Sequence, residues 1–148
     1  MYQKYFLIIL LLFFITACKK KDDLSITPPD VKESYLLYEK AVTAMNEGEF
    51  FFAAKTFSEA ESILPIVEHS AKASLMSAYC YYSINFYDEA ISTLENFLRK
   101  YPADKNIQYA KYLIILSNYE QILDEKKDLK PLLLSKKMIQ DYIKKYPG

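Results

Sequence analysis

The chain of 148 residues has no tryptophan, two glycines, two cysteines and one histidine. Each scarcity removes a class of function. With Gly48 and Gly148 as the whole glycine complement, no glycine-rich loop can wrap a phosphate, because such a loop needs several backbone positions free of a Cβ. His69, beside Glu68, cannot alone supply the three or four ligands at set spacings that zinc requires; it reads as a solvated surface residue. No Ser-His-Asp order or Cys-His pairing is present, and Glu59, Glu61, Asp88 and Glu89 read as helix-surface charges near turns. The expectation is therefore a protein that is not an enzyme and holds no metal and no small-molecule substrate. Nineteen basic residues offset nineteen acidic ones, so the basic excess that nucleic acid demands is missing. What is abundant is Leu, Ile, Ala, Lys, Glu and Tyr, a helical composition.

The N-terminal stretch carries Lys4, an apolar run from Tyr5 to Phe14, and then Ile15-Thr16-Ala17-Cys18. A membrane span needs about 20 apolar residues to cross about 30 Å of hydrocarbon, and this run falls short. A positive flank, a short apolar core and a small-residue exit are the marks of a secretory signal. The tetrad resembles a bacterial lipobox. That resemblance implies cleavage before Cys18, with residues 1–17 removed and a diacylglycerol and an N-acyl chain on the Cys18 sulfur and amine. No other cofactor is expected. Cys80 would then lack a disulfide partner, and in the apolar run Tyr79 to Tyr82 it reads as a small buried hydrophobe.

From Cys18 to Pro29 the composition is that of a tether. Lys19, Lys20 and Lys21, then Asp22, Asp23, Ser25, Thr27, Pro28 and Pro29 offer too little apolar surface to offset the entropy of ordering, and the prolines favour an extended spacer. The lysine triplet either lies against anionic head groups or is simply solvated.

Order begins at Asp30, which can cap a first helix with Glu33 reaching back three residues on. Polar breaks then predict helices near 31–47, 50–63, 68–84, 87–100, 104–122 and 131–146, six helices in three pairs. The pairs repeat. Ala53, Phe57, Ala60 and Pro65 have the spacing of Ala90, Leu94, Phe97 and Pro102. This resembles the second helix of a tetratricopeptide repeat. A small side chain lets paired helices approach, a large one fills the gap to the next pair, and proline stops the helix. The same register places Leu37, Ala41 and Ala44 on the first helix of repeat one, and Ala78 and Tyr81 in repeat two. Pro147 closes repeat three, with Ile139 and Tyr142 at the bulky places and Ile115 where a small residue is expected. The prolines are 37 and 45 residues apart, so the connections are lengthened. The expected fold is all-α, a tetratricopeptide-repeat solenoid over residues 30–148 with repeats near 31–65, 68–102 and 104–147.

Five stretches carry a closer resemblance: Leu37 to Ala41, Ala78 to Tyr82, Phe86 to Ile91, Phe97 to Pro102 and Tyr109 to Leu113. Together with the lipobox they are similar to the BamD/ComL family of outer-membrane assembly lipoproteins. The resemblance implies a lipid-anchored component of the β-barrel assembly machinery on the periplasmic face of the outer membrane. It would bind partner subunits and unfolded outer-membrane clients; Lys19 after the cysteine, where an aspartate would retain the protein at the inner membrane, agrees with outer-membrane sorting. A lipoprotein scaffolding cell-envelope, peptidoglycan or division machinery is the alternative. The family carries about five repeats and docks on the barrel subunit through the C-terminal ones. Here three are expected, with Leu132, Leu133, Met138, Ile139 and Ile143 forming an open apolar edge. Register puts Tyr35, Tyr38, Met45, Lys72, Tyr79, Tyr82, Tyr109, Tyr112 and Tyr119 on the concave side. Aromatic rings with polar tips suit an extended peptide, while any one of these tyrosines, taken singly, reads first as a packing residue with its hydroxyl at the surface. The lysines Lys126, Lys127, Lys130, Lys136, Lys137, Lys144 and Lys145 alternate with acids and read as a solvated face.

Overall fold

The computed structural model describes residues 31–124 and 129–147. Six helices follow one another: α1 (Val31–Asn46), α2 (Phe50–Ile63), α3 (Val67–Ser83), α4 (Tyr87–Lys100), α5 (Ile107–Asp124) and α6 (Leu129–Lys145). Each packs on the next, and α3 also touches α5. This is the all-α tetratricopeptide-type arrangement expected from the repeat: short connections reverse the chain, pairs stack, and the first helices of pairs two and three meet on one side. Asp30 of the expected capping box lies outside the described residues. Among the described residues no helix is long and apolar enough to cross a membrane.

The turns inside the first two pairs share one construction. After α1, the Gly48 N–H bonds to the Met45 carbonyl at 3.1 Å and the Glu49 N–H to the Ala44 carbonyl at 2.9 Å. After α3, the Asn85 N–H bonds to Tyr82 and the Phe86 N–H to Tyr81, both at 3.0 Å. These are Schellman closures, which need a left-handed residue at their centre; Gly48 has φ +83° and Asn85 φ +62°. Glycine and asparagine are the residues that tolerate it.

Packing follows the small–large logic. Ala41, Ala53, Ala60, Ala78 and Ala90 are fully buried, and so are Phe57, Leu94 and Phe97. Burial of one such large apolar side chain contributes about 1.5–3 kcal/mol. A first core joins α1, α2 and one face of α3 through Ala41, Phe57, Ala73 and Cys80. A second joins the opposite face of α3 to α4 and α5 through Ala71, Leu75, Leu94, Phe97 and Leu113. Between α2 and α3, Ser77 donates to the Ala54 carbonyl at 2.8 Å, so this buried hydroxyl is satisfied.

The third pair departs from the expected register. Helix α5 begins five residues after Pro102, whereas α3 begins two after Pro65. An Asp104 turn, with its Oδ1 accepting the Asn106 N–H at 2.7 Å, occupies the extra length. The burial pattern of α3 therefore recurs on α5 displaced by three residues. Ile115 takes the place of Leu75, and the place of Ala78 goes to Asn118, whose side-chain amide donates to the Ile114 carbonyl at 2.9 Å. Ile115 is thus no misfit at a small-residue position. On α6, Ser135 holds the small-residue place of Ala53 and Ala90 and is buried, whereas Ile139, in the place of Phe57 and Leu94, is 38% exposed. Leu132, Leu133 and Ile143 are exposed as expected, but Met138 packs on the second core and does not belong to that edge.

The two junctions between second helices also differ. At the first, Glu61 accepts from Lys100 Nζ at 2.9 Å and from the Tyr101 hydroxyl at 2.8 Å; it is not the unpartnered surface charge the sequence suggested. At the second, the proline register puts Leu98 in the place of Glu61 and Tyr146 in that of Tyr101. Both line a cleft of about 350 Å³ between α4, α5 and α6, with Ile114, Met138 and Tyr142.

Candidate peptide-binding face

The expected concave residues separate into an exposed group and a half-buried one. Tyr79, Tyr109, Tyr112 and Tyr119 are exposed on α3 and α5. Tyr35, Tyr38, Met45 and Tyr82 are half-buried and pack against the first core, so part of what they do is hold α1 to its neighbours. Tyr38 stands edge-on to Phe57 with centroids 5.4 Å apart.

The shifted register of α5 explains why its tyrosines are so open. Tyr112 and Tyr119 fall where α3 carries Lys72 and Tyr79, all four of them exposed. Tyr79, Tyr82, Tyr109 and Tyr112 form one cluster across α3 and α5. Burial raises the Tyr109 hydroxyl above the ordinary tyrosine value, with further contributions from Tyr79 and Tyr112. Tyr82 is raised first by burial, then by Glu120, Tyr87, Tyr112 and Tyr109. These phenols stay neutral and so remain hydrogen-bond donors beside apolar ring faces. Tyr119 has no ring or hydrogen-bond contact to the cluster and continues the exposed stripe along α5. Two aromatics not expected at this face adjoin it. Tyr87 tilts against Tyr82 at 5.9 Å, and Tyr142 against Tyr112 at 6.5 Å. Tyr142 also lines a shallow hollow of about 310 Å³ with Tyr109, Tyr112 and Lys105.

His69 is not the solvated residue expected. It is half-buried, its Nδ1 lies 2.6 Å from the Tyr35 hydroxyl, and its ring meets Tyr35 edge-on at 5.5 Å. With Lys72 it faces α1 from the first turns of α3. Their spacing of three was the available sign that both lie on one face of the helix. Cys80 is buried, and burial pushes its thiol up to about 11, which leaves it protonated and inert as a nucleophile. Lys126 and Lys127 lie outside the described residues, while Lys136, Lys137, Lys144 and Lys145 are exposed. Among the described residues no group of three His, Cys, Asp or Glu side chains could hold a metal.

Comparison with known proteins gives consistent matches. The model of the YfiO family, described as outer membrane lipoprotein, matches residues 30–148. The outer membrane protein assembly factor BamD of Caulobacter vibrioides is 32% identical over 113 residues, 76% of this chain and 37% of its own length. Its namesake in Rickettsia prowazekii is 33% identical over 132 residues, 88% of this chain and 51% of its own. That of Neisseria gonorrhoeae is 33% identical over 87 residues, 57% and 33% respectively. The chain spans about a third to a half of the length of these relatives.

Proposed function

The chain belongs to the YfiO family of outer membrane lipoproteins, and from that premise we propose that it is a component of outer-membrane protein assembly, acting as a scaffold and not as a catalyst. A lipid on Cys18 anchors it to the periplasmic face of the outer membrane. Residues 19–29 are the tether, and the solenoid beyond them binds extended segments of partner subunits or of unfolded outer-membrane proteins. The observation that carries the binding role is the run of exposed tyrosines Tyr79, Tyr109 and Tyr112 across α3 and α5. Exposed aromatic rings in a contiguous set offer a rigid contact surface at low entropic cost, and each keeps a hydroxyl able to meet the backbone of an extended chain.

The test is a double substitution, Tyr79→Ala with Tyr112→Ala, and the binding of a synthetic peptide from the C-terminus of an outer-membrane β-barrel protein. Both side chains are exposed, so the helices should persist by circular dichroism. A drop in affinity of about tenfold or more, on the order of 1.4 kcal/mol, is expected; unchanged affinity in the folded variant rejects the face. Anchoring is tested separately by Cys18→Ser, which should release the protein from membranes.

A further inference from the structure

The cleft between α4, α5 and α6 holds about 350 Å³, whereas the equivalent joint between α2 and α4 is bridged by Glu61 reaching Lys100 and Tyr101. Leu98, in the place of Glu61, offers Tyr146 no acceptor. The floor of the cleft is apolar: Ile114 and Ile115 are buried, and Leu98 and Met138 are half-buried. Its mouth is charged, and the charges are sorted. Lys111 and Lys145 both stand over the Tyr146 ring, 5.8 and 5.9 Å from its centroid. Glu95 and Asp141 line the cleft from positions three residues before Leu98 and four before Lys145, about one helical turn or 5.4 Å back along the second helices. Among the described residues none of these four charged side chains takes part in an ion pair.

We infer that this cleft binds one zwitterionic lipid of the phosphoethanolamine type, with the acyl chain on the apolar floor, the phosphate between Lys111 and Lys145, and the ammonium between Glu95 and Asp141. Two ammonium groups and two carboxylates leave the mouth without net charge, which suits a zwitterion better than an anionic amphiphile. In such a head group the phosphate and the ammonium are separated by only a few bonds, comparable to the single turn between the two charged ends of the mouth. Tyr142, lining the cleft beside Asp141, adds an aromatic face for the ammonium. A space of 350 Å³ measures about 7 Å on a side, its cube root, whereas a helix with its side chains is about 10–12 Å across. No partner helix enters it; an acyl chain does, and the volume lies within the range of small-ligand clefts, about 300–1,000 Å³. The supply of lipid rests on the membrane anchoring proposed above, while the cleft itself is independent of the tyrosine face.

The experiment is native mass spectrometry of the full chain with lysophosphatidylethanolamine below its micellar concentration, and with lysophosphatidylglycerol of the same acyl chain as the anionic control. One lipid should bind per chain, the ethanolamine form about tenfold more tightly, the scale of one hydrogen-bonded charge contact. Glu95→Gln with Asp141→Asn, both exposed, should erase that preference without disturbing the fold. Lys111→Met with Lys145→Met should weaken both lipids about tenfold. Leu98→Glu gives this joint the residue of the first one and should close the cleft to either lipid with helix content unchanged by circular dichroism. The absence of a saturable one-to-one complex overturns the proposal, as does equal affinity for the two lipids or undiminished binding by a folded Leu98→Glu protein. Displacement of the lipid by the β-barrel peptide used above, persisting in the Tyr79→Ala, Tyr112→Ala protein, overturns it in favour of a protein segment. A Cys18→Ser protein that stays on membranes would reject the anchor and leave lipid binding in the purified chain untouched, so the two readings fail separately.

Discussion

Replacing Gly48 by alanine isolates the backbone contribution of one turn. A Cβ built at Gly48 meets nothing within 4 Å, so no steric clash enters the result. What remains is the left-handed conformation at φ +83°, which costs an L-residue about 1–2 kcal/mol. Alanine also stiffens the unfolded chain, returning about 0.4–1 kcal/mol. The net expectation is a loss of about 1 kcal/mol. With a urea slope of about 1–3 kcal/mol per molar, the midpoint should fall by roughly 0.3–1 M at constant slope. Gly48→Asn should lose less, because the equivalent turn after α3 already uses Asn85 at φ +62°. Since each repeat couples chiefly to its neighbours, hydrogen exchange should quicken in α1 and α2 before it does in α5. A Gly48→Ala protein as stable as the parent, or an asparagine variant less stable than the alanine one, would refute the reasoning.

Three other outcomes follow from the packing and the charges. Phe97→Ala removes a ring that is fully buried in the second core and should cost about 3–5 kcal/mol by denaturation, with Phe57→Ala comparable in the first core. The Cys80 thiol, raised to about 11 by burial, should resist a thiol reagent at pH 8 in the native protein and react promptly once urea unfolds it. At alkaline pH the junction around Glu61 should weaken. The hydrogen bond to Glu61 raises Lys100 above 10.5, and burial, then the bond to Glu61, raises Tyr101 above 10.0. Both groups hold protons in the folded state that the unfolded chain releases earlier. Their contribution is complete below about pH 10 and fades as pH climbs through the raised values, and Glu61→Gln should flatten that decline in a melting series.

The helices and the first two repeats were legible because local physics decides them. Ala53, Phe57 and Ala60 recur as Ala90, Leu94 and Phe97, and a helix stacked on a helix needs that order of sizes. The third pair was legible only in outline. Its anchor, Pro147, fixes α6 but carries no information about the connection after Pro102, where the Asp104 turn adds three residues and rotates the pattern on α5. Counting on in steps of 37 then lands on Ile115 when the equivalent site is Asn118. Contacts between side chains about 35–40 residues apart in the chain were not legible at all. Tyr35 with His69, and Glu61 with Lys100 and Tyr101, meet only because stacking brings neighbouring repeats into register, and nothing in either local sequence marks them as partners. The tyrosine stripe was recognisable as a set, but its division into packing rings and open rings depends on which helix still has a neighbour on that side.

The two junctions between second helices are held by different kinds of contact. Pairs one and two are clamped by the Glu61 carboxylate, which grips two residues of the next pair at once. Between α4 and α6, Leu98 and Tyr146 line an open cleft, and the polar ties from pair two to pair three run instead to α5 and the turn before it, Asp88 with Gln121 and Glu68 with Lys105. Ionic strength therefore acts on the two junctions differently. The Lys105–Glu68 pair is exposed at both ends and is screened by salt, whereas the Glu61 carboxylate is nearly covered and keeps its hold on Lys100 and Tyr101.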